Sequence, residues 1–155
     1  PISLIAKTAN VSQGLMYNFF SSKEALLAEL MQRGFMDIKE SMLSYEQVHN
    51  SKEAIRVHVE STIKIIKEHA AFWRLLHAIR LQGKVVEAAL PMFQEVVANV
   101  TTTFSKVFSE LKYPNPQLEA LLFLAQIDGL VILYLQDEKN IPIDQLGQQL
   151  INRYA

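Results

Sequence analysis

An all-α fold is predicted by two patterns and one scarcity. Apolar residues recur three or four positions apart along nearly the whole chain, the spacing of one face of an α-helix. No stretch shows sustained alternation of apolar and polar residues between hairpin turns, so no strand is expected. Half of the 155 residues are apolar, with five glycines and five prolines. That balance suits a globular chain with a sizeable core and excludes a collagen-like repeat or a disordered tail.

The elements follow in order. A short helix is expected over 3–9. A second starts after Val11 with Ser12 as its N-cap, because a serine hydroxyl can accept from the first orphan amides. Asn10 supplies the turn between them, since asparagine tolerates the left-handed conformation. Ser21 and Glu24 have capping-box spacing, which starts a third helix there. Its stripe, Leu27, Leu30, Met31, Phe35, Ile38 and Met42, continues towards Tyr45. A helix of that length leaves the first module and enters the second, so it can carry movement between them.

Asn50 and Ser51 break the pattern, after which Ile55, Val59, Ile63 and Ile66 mark a fourth helix. An aromatic-rich one follows over 69–81. Gly83 precedes a segment with Phe93, Val97, Val100, Phe104, Val107 and Leu111 on one stripe, and Pro91 is expected to kink it or mark a restart. The run Tyr113, Pro114, Asn115, Pro116 ends that segment. The helix over 117–136 is apolar all round, with Leu118, Leu121, Leu122, Ala125, Ile132 and Leu133 on one broad face and Phe123, Ile127, Leu130 and Tyr134 on another. A membrane span over 118–135 is disfavoured by Glu119, Gln126 and Asp128, a mid-span aspartate alone costing about 2.5–3.5 kcal/mol. A buried helix, and no membrane partner, is the expectation. One domain core buries only one face, so the other calls for a second copy of the same helix. The last helix, 143–154, joins that seam through Leu146 and Leu150. Gly129 belongs to the same expected homodimer interface.

A formal charge of −1 neither demands nor excludes a nucleic-acid partner. The absence of cysteine rules out disulfides, thiolate catalysis and thiolate metal sites, and suits a cytoplasmic protein.

Two short helices joined by a tight turn form a helix-turn-helix, whose second helix offers its N-terminal residues to the DNA major groove. Gly14 in the first turn costs about 0.8–1 kcal/mol against alanine in a helix. Glycine makes sense where a DNA backbone or base edge comes close. Gln13 can bond an adenine edge with its amide, and Leu15 can touch a thymine methyl. Tyr17, Asn18 and Lys23 are placed to contact phosphates, helped by the free amides behind Ser12. Ser3 completes the DNA-facing candidates. Ile5, Ala6, Ala9, Val11, Met16 and Phe20 have the spacing to pack this module.

The run over 5–27, I-A-K-T-A-N-V-S-Q-G-L-M-Y-N-F-F-S-S-K-E-A-L-L, resembles the DNA-binding module of TetR-family transcriptional regulators, with the pattern I-A-x-x-A-G-V-S-x-G-x-x-Y-x-x-F-x-S-K-E-x-L. It departs at Asn10, where glycine is usual, and at Pro1, where a capping threonine is usual. The resemblance implies that the family's first helix precedes Pro1. It also implies a helix-turn-helix DNA-binding domain over 1–45 and an effector-binding and dimerisation domain over 46–155. The second part matches in layout and in the step Asp128, Gly129, Leu130 of a penultimate dimerisation helix. The partners implied are a double-stranded DNA operator, a second copy and an unknown small-molecule effector.

Aromatic and methionine walls with a few polar groups are what small-molecule sites use. Trp73, His77, Met92, Phe93, Phe123 and Gln126 are therefore candidates for an effector pocket, with Phe35, Val59, Ile63 and Ile127 beside them. Taken singly, each reads equally as bundle core. Glu46 and His49 have the E-x-x-H spacing of carboxylate-bridged di-iron bundles, but no second copy accompanies them. No metal and no cofactor is expected. No nucleophile elbow, phosphate-binding loop or dinucleotide fingerprint occurs, so no enzymatic activity is expected. The reading is a ligand-responsive repressor binding a palindromic operator as a homodimer. The alternative is a helical-bundle enzyme or small-molecule carrier with a vestigial DNA-binding module.

Overall fold

The computed structural model describes residues 2–46, 48, 50–79 and 83–154, and for 37–46, 79, 83–90 and 92 it describes the backbone only. Among the described residues there are eight helices and no strand: α1 (Ile2–Thr8), α2 (Gln13–Phe19), α3 (Lys23–Glu46), α4 (Ser51–Glu68), α5 (Ala70–Ile79), α6 (Gly83–Glu110), α7 (Pro116–Gln136) and α8 (Ile143–Tyr154). The all-α expectation and the order of elements hold.

Local chemistry sets the joints. Asn10 has φ +56°. Around it the Val11 N–H donates to the Ala6 carbonyl at 3.0 Å and the Asn10 N–H to the Lys7 carbonyl at 3.2 Å. This is a Schellman ending of α1, whose left-handed residue is glycine or asparagine by preference. Lys112, with φ +62°, closes α6 in the same way, the Tyr113 N–H donating to the Phe108 carbonyl at 3.0 Å. Pro116 then opens α7, where its missing N–H costs nothing. The Asn50 side chain caps α4 by accepting from the Lys52 and Glu53 amides.

One boundary differs from the sequence expectation. The serine that caps α3 is Ser22, whose Oγ accepts from the Ala25 N–H at 3.1 Å, in place of Ser21. Of the two outcomes expected at Pro91, a kink or a restart, the restart does not occur: α6 runs through it as one helix.

The core lies where α4, α6, α7 and α8 meet. Phe104, Phe108 and Phe123 are fully buried. Phe104 and Phe123 have ring centroids 4.8 Å apart, and Tyr154 of α8 stands 5.3 Å from both Phe108 and Phe123. Burial of several aromatic side chains in one cluster supplies the dominant driving force for this bundle. The helix α8 lies close against α4 at Gly147, where a Cβ would displace the end of the Ile63 side chain. A Lys67–Asp144 pair at 2.8 Å ties the same two helices at the surface. Arg74 of α5 donates to the Leu135 carbonyl at 3.0 Å and pairs with Glu138, closing the C-terminal end of α7.

The long helix α3 joins the small N-terminal module to this bundle and packs on α4, α5 and α6. Leu27 and Met31 on it are buried, with Leu30 and Phe35 packed beside them. At Gly34 the approach of α5 is so close that a Cβ would meet Leu76 Cδ1 and, at 3.0 Å, the Phe72 ring.

As expected, the bundle buries one face of α7 and leaves the other uncovered. The helix is long and apolar enough to cross a membrane. One face, Ala120, Phe123, Ile127, Val131 and Leu135, is buried in the bundle, while Leu118, Leu121, Leu122 and Leu133 are exposed by 47–60%.

Candidate DNA-contacting face and interior cavity

The first turn of α2 is uncovered. Ser12 sits at φ −72°, ψ 149°, and its Oγ accepts from the Leu15 N–H at 3.1 Å, so the hydroxyl is the N-cap the sequence required. Ser3, Ser12, Gln13, Gly14, Leu15, Tyr17, Asn18 and Lys23 are all exposed. No residue of α2 is buried. Tyr17 is half-exposed and leaves part of its surface in solvent. A Cβ built on Gly14 would have nothing within 4 Å. Packing inside the chain therefore gives no reason for glycine there, and the space it opens faces outwards.

Phe19, 73% exposed, and Leu4 are large apolar side chains on this module that sequence reasoning did not single out. The module packs more thinly than its spacing suggested. Ala6 and Ile2 are buried, but Ala9 and Val11, expected inside, are exposed. Both belong to the turn, which is held by the backbone hydrogen bonds of the Schellman ending and needs no side-chain contact.

A cavity of about 330 Å³ lies between α3, α4, α5, α6 and α7. Of the pocket candidates, Phe35, Trp73, His77, Phe93 and Ile127 line it. Four others do not. Phe123 and Val59 are in the core, turned towards the aromatic cluster and α8. Ile63 stands at the α4–α8 contact. Gln126 is taken up by the α7–α8 seam, donating to the Tyr154 hydroxyl at 2.7 Å and to the Leu122 carbonyl at 3.1 Å. The Met92 side chain, like those of Glu46 and His49, lies outside the described residues.

The sequence reading missed Met31, His58, Thr62 and Asp128 of the cavity wall. His58 is 5% exposed, with its ring 4.8 Å from Phe104 and 5.9 Å from Phe123. Burial pushes its imidazole down to about 4, so it is neutral at pH 7. The wall is otherwise apolar apart from Thr62, His77 and Asp128. The buried indole N–H of Trp73 has no hydrogen-bond partner among the described residues.

The expected dimer residues divide three ways. Leu118, Leu122 and Leu133 lie on the open face of α7, with Gly129 and Ile132 half-buried beside them. A Cβ at Gly129 would meet nothing within 4 Å. Leu121 and Ala125 are exposed and also border the cavity. Leu150 is corrected: it is 6% exposed and belongs to the core, because α8 turns Ile143, Gly147, Leu150, Ile151 and Tyr154 inwards. Leu146 is half-buried.

Residues 1–30 match the family model for bacterial regulatory proteins of the tetR family. The HTH-type transcriptional regulator YhgD of Bacillus subtilis (strain 168) is 36% identical over 157 residues, covering 93% of this chain and 77% of that protein. The chain belongs to the TetR family of transcriptional regulators. It is a DNA-binding regulator, and the uncovered turn of α2 lies within the stretch that matches the family model.

Solved structures agree with the TetR-type fold over almost the whole chain. A transcriptional regulator from Rhodococcus sp. Rha1 superposes with a TM-score of 0.85 at 18% identity, covering 99% of this chain and 82% of its own. A fatty acid degradation regulator, FadR, from Bacillus halodurans gives 0.70 at 19% identity, covering 97% and 86%. A Saccharomonospora viridis protein assigned as a transcriptional regulator, solved in complex with choline, gives 0.75 at 18% identity, covering 98% and 83%.

Proposed function

We propose that this TetR-family regulator is a ligand-responsive repressor that binds a roughly palindromic operator as a homodimer. In this reading the DNA-binding domain spans 1–45 and the effector-binding and dimerisation domain 46–155. Gln13 and Leu15 read base edges, while Ser3, Ser12, Tyr17, Asn18 and Lys23 position the module on phosphates around Gly14. The two recognition helices sit about 34–36 Å apart, one turn of DNA. The open apolar face of α7 covers itself with its own twofold copy, which would hide Leu118, Leu122 and Leu133 from water. Such a protein works where the DNA is, in the cytoplasm of a bacterial cell.

The observation that carries the ligand-responsive part is the course of α3. The helix starts directly behind α2, at Lys23, and about two to three turns later Met31 and Phe35 form part of the cavity wall. A molecule that fits the cavity in one setting of α3 better than in another biases the spacing of the two recognition helices, and unequal affinity is all the bias requires. Both a choline complex and a fatty acid degradation regulator among proteins of this fold support a small-molecule effector.

Selection of bound sequences from random DNA by the full-length protein tests the reading. A two-fold related pair of half-sites is expected. Enrichment of single half-sites or of no sequence contradicts it. Leu122→Lys should give monomers on a sizing column and lose the paired site, and an unchanged dimer would reject the α7 seam.

A further inference from the structure

We propose that Phe19 is a base-reading residue: with Leu15 it gives α2 an apolar shoulder that takes the C5-methyl groups of two thymines in the major groove of the operator. This rests on the reading of α2 as the helix that enters the groove. Side chains four apart on a helix fall into stripes, each turned about 100° from the next. Met16 and Phe20 are part-buried, so their stripe faces the rest of the module. Gly14 and Asn18 lie nearly opposite, exposed, at the crest. The two flanks, both exposed, differ in chemistry: Gln13 and Tyr17 carry polar groups, whereas Leu15 and Phe19 carry none.

Leu15 is 43% exposed and Phe19 73%, the highest value of any large apolar side chain among the described residues. A single exposed apolar residue is ordinary on a protein surface. This one extends by one turn the face that begins at the uncovered start of α2, so it continues the surface offered to DNA. The apolar group that base pairs display in the major groove is the thymine methyl, and a phenyl ring is one of the side chains that suits it. A phosphate is the wrong neighbour, because an anionic oxygen set against the ring loses water and gains no donor. Gly14 at the crest, with nothing within 4 Å of a Cβ built on it, lets the helix sink until its flanks reach base edges. Four residues span about 6 Å of helix axis, and bases on one strand stand about 3.4 Å apart. The two methyls therefore lie about two base steps apart.

The test is a thymine-to-deoxyuridine scan of the half-site selected by the full-length protein. Each exchange removes one methyl and leaves the hydrogen-bonding edge unchanged. Two exchanges, about two base steps apart, should each weaken binding about fourfold, the worth of one methyl withdrawn from water. Phe19→Ala should weaken binding to the thymine site about fivefold and abolish the sensitivity at one of the two positions. Leu15→Ala should abolish it at the other. Undiminished sensitivity at both positions in a folded Phe19→Ala protein overturns the proposal. So does a lowered melting temperature with operator affinity intact, because another part of the protein then covers the ring. If Phe19→Ala does not fold, the scan of the unsubstituted protein decides alone. An operator bound without regard to thymine methyls defeats this proposal only, whereas selection of no sequence defeats the reading of α2 as well.

Discussion

The recognition module and the helical bundle behind it are built on opposite terms. In the bundle, Phe104, Phe108 and Phe123 are fully buried, Tyr154 packs on the last two, and His58 is sunk beside Phe104 and Phe123. In the module, α2 buries nothing and α1 buries Ile2 and Ala6. Its shape is fixed by a serine cap, a left-handed asparagine and a few turn hydrogen bonds. The contrast follows from what each part touches. A surface that must meet a groove keeps its side chains outside, and directional bonds replace burial as the source of shape. The bundle is instead shaped around a cavity, and the walls of a cavity come from packed side chains.

If the contrast is right, substitutions in the bundle act on global stability and those in the module act on DNA. The largest effect is expected at Phe104. Phe104→Ala removes a fully buried ring and should cost about 3–5 kcal/mol, read as a fall in the denaturant midpoint. A loss under 1 kcal/mol or so would mean that the aromatic cluster is not what holds the bundle.

His58 comes next, because its cost depends on pH. Above the ordinary value of 6.5 the imidazole is neutral folded and unfolded, and nothing depends on its titration. As pH falls from 6.5 to about 4, the unfolded chain takes up a proton that the folded protein refuses, so stability is lost across that window. A depression of that size corresponds to roughly 3 kcal/mol. Carboxylates also contribute at acid pH, so the quantity to measure is the difference between the parent and His58→Gln. The variant should show a flatter fall of stability between pH 6.5 and 4, and parallel curves would remove the buried imidazole from the account.

How much of this was legible beforehand varied with the kind of signal. The module was read closely because capping and turn chemistry are local: Ser12 and Asn10 sit where they were expected. The slip from Ser21 to Ser22 arose because two adjacent serines compete, and the glutamate spacing favoured the one that the backbone did not use. Of the residues named for a pocket, Phe35, Trp73, His77, Phe93 and Ile127 line the cavity. The helix α7 is apolar on every side, so periodicity alone could not say that Phe123 turns to the core while Leu121 and Asp128 turn to the cavity. His58 was passed over, although its place between Ile55 and Val59 on the apolar face of α4 already pointed inwards. Leu150 was placed on the outer seam because an amphipathic helix announces one buried face without naming what covers it.

Within the module the expected effects are smaller and fall on binding. Gln13→Ala should cost about 1–3 kcal/mol at the preferred site and relax preference at one base position. Lys23→Ala should weaken all sequences alike and reduce the salt slope by about 1. Equal losses on all DNA for both variants would erase the distinction between reading and positioning.

The smallest effect separates the two parts most cleanly. Ser12→Ala removes the acceptor for the Leu15 amide and should cost about 1 kcal/mol. Because α2 buries nothing, that loss should show as faster amide exchange in α2, with the melting of the bundle nearly unchanged. Ser12→Asp keeps an N-cap acceptor and adds a negative charge where phosphates are expected. It should therefore restore exchange protection in α2 and still lose operator affinity, a split that a purely structural serine would not produce. A fall in the melting of the bundle equal to the local loss would mean that the module and the bundle unfold as one unit, and the contrast between them would fail.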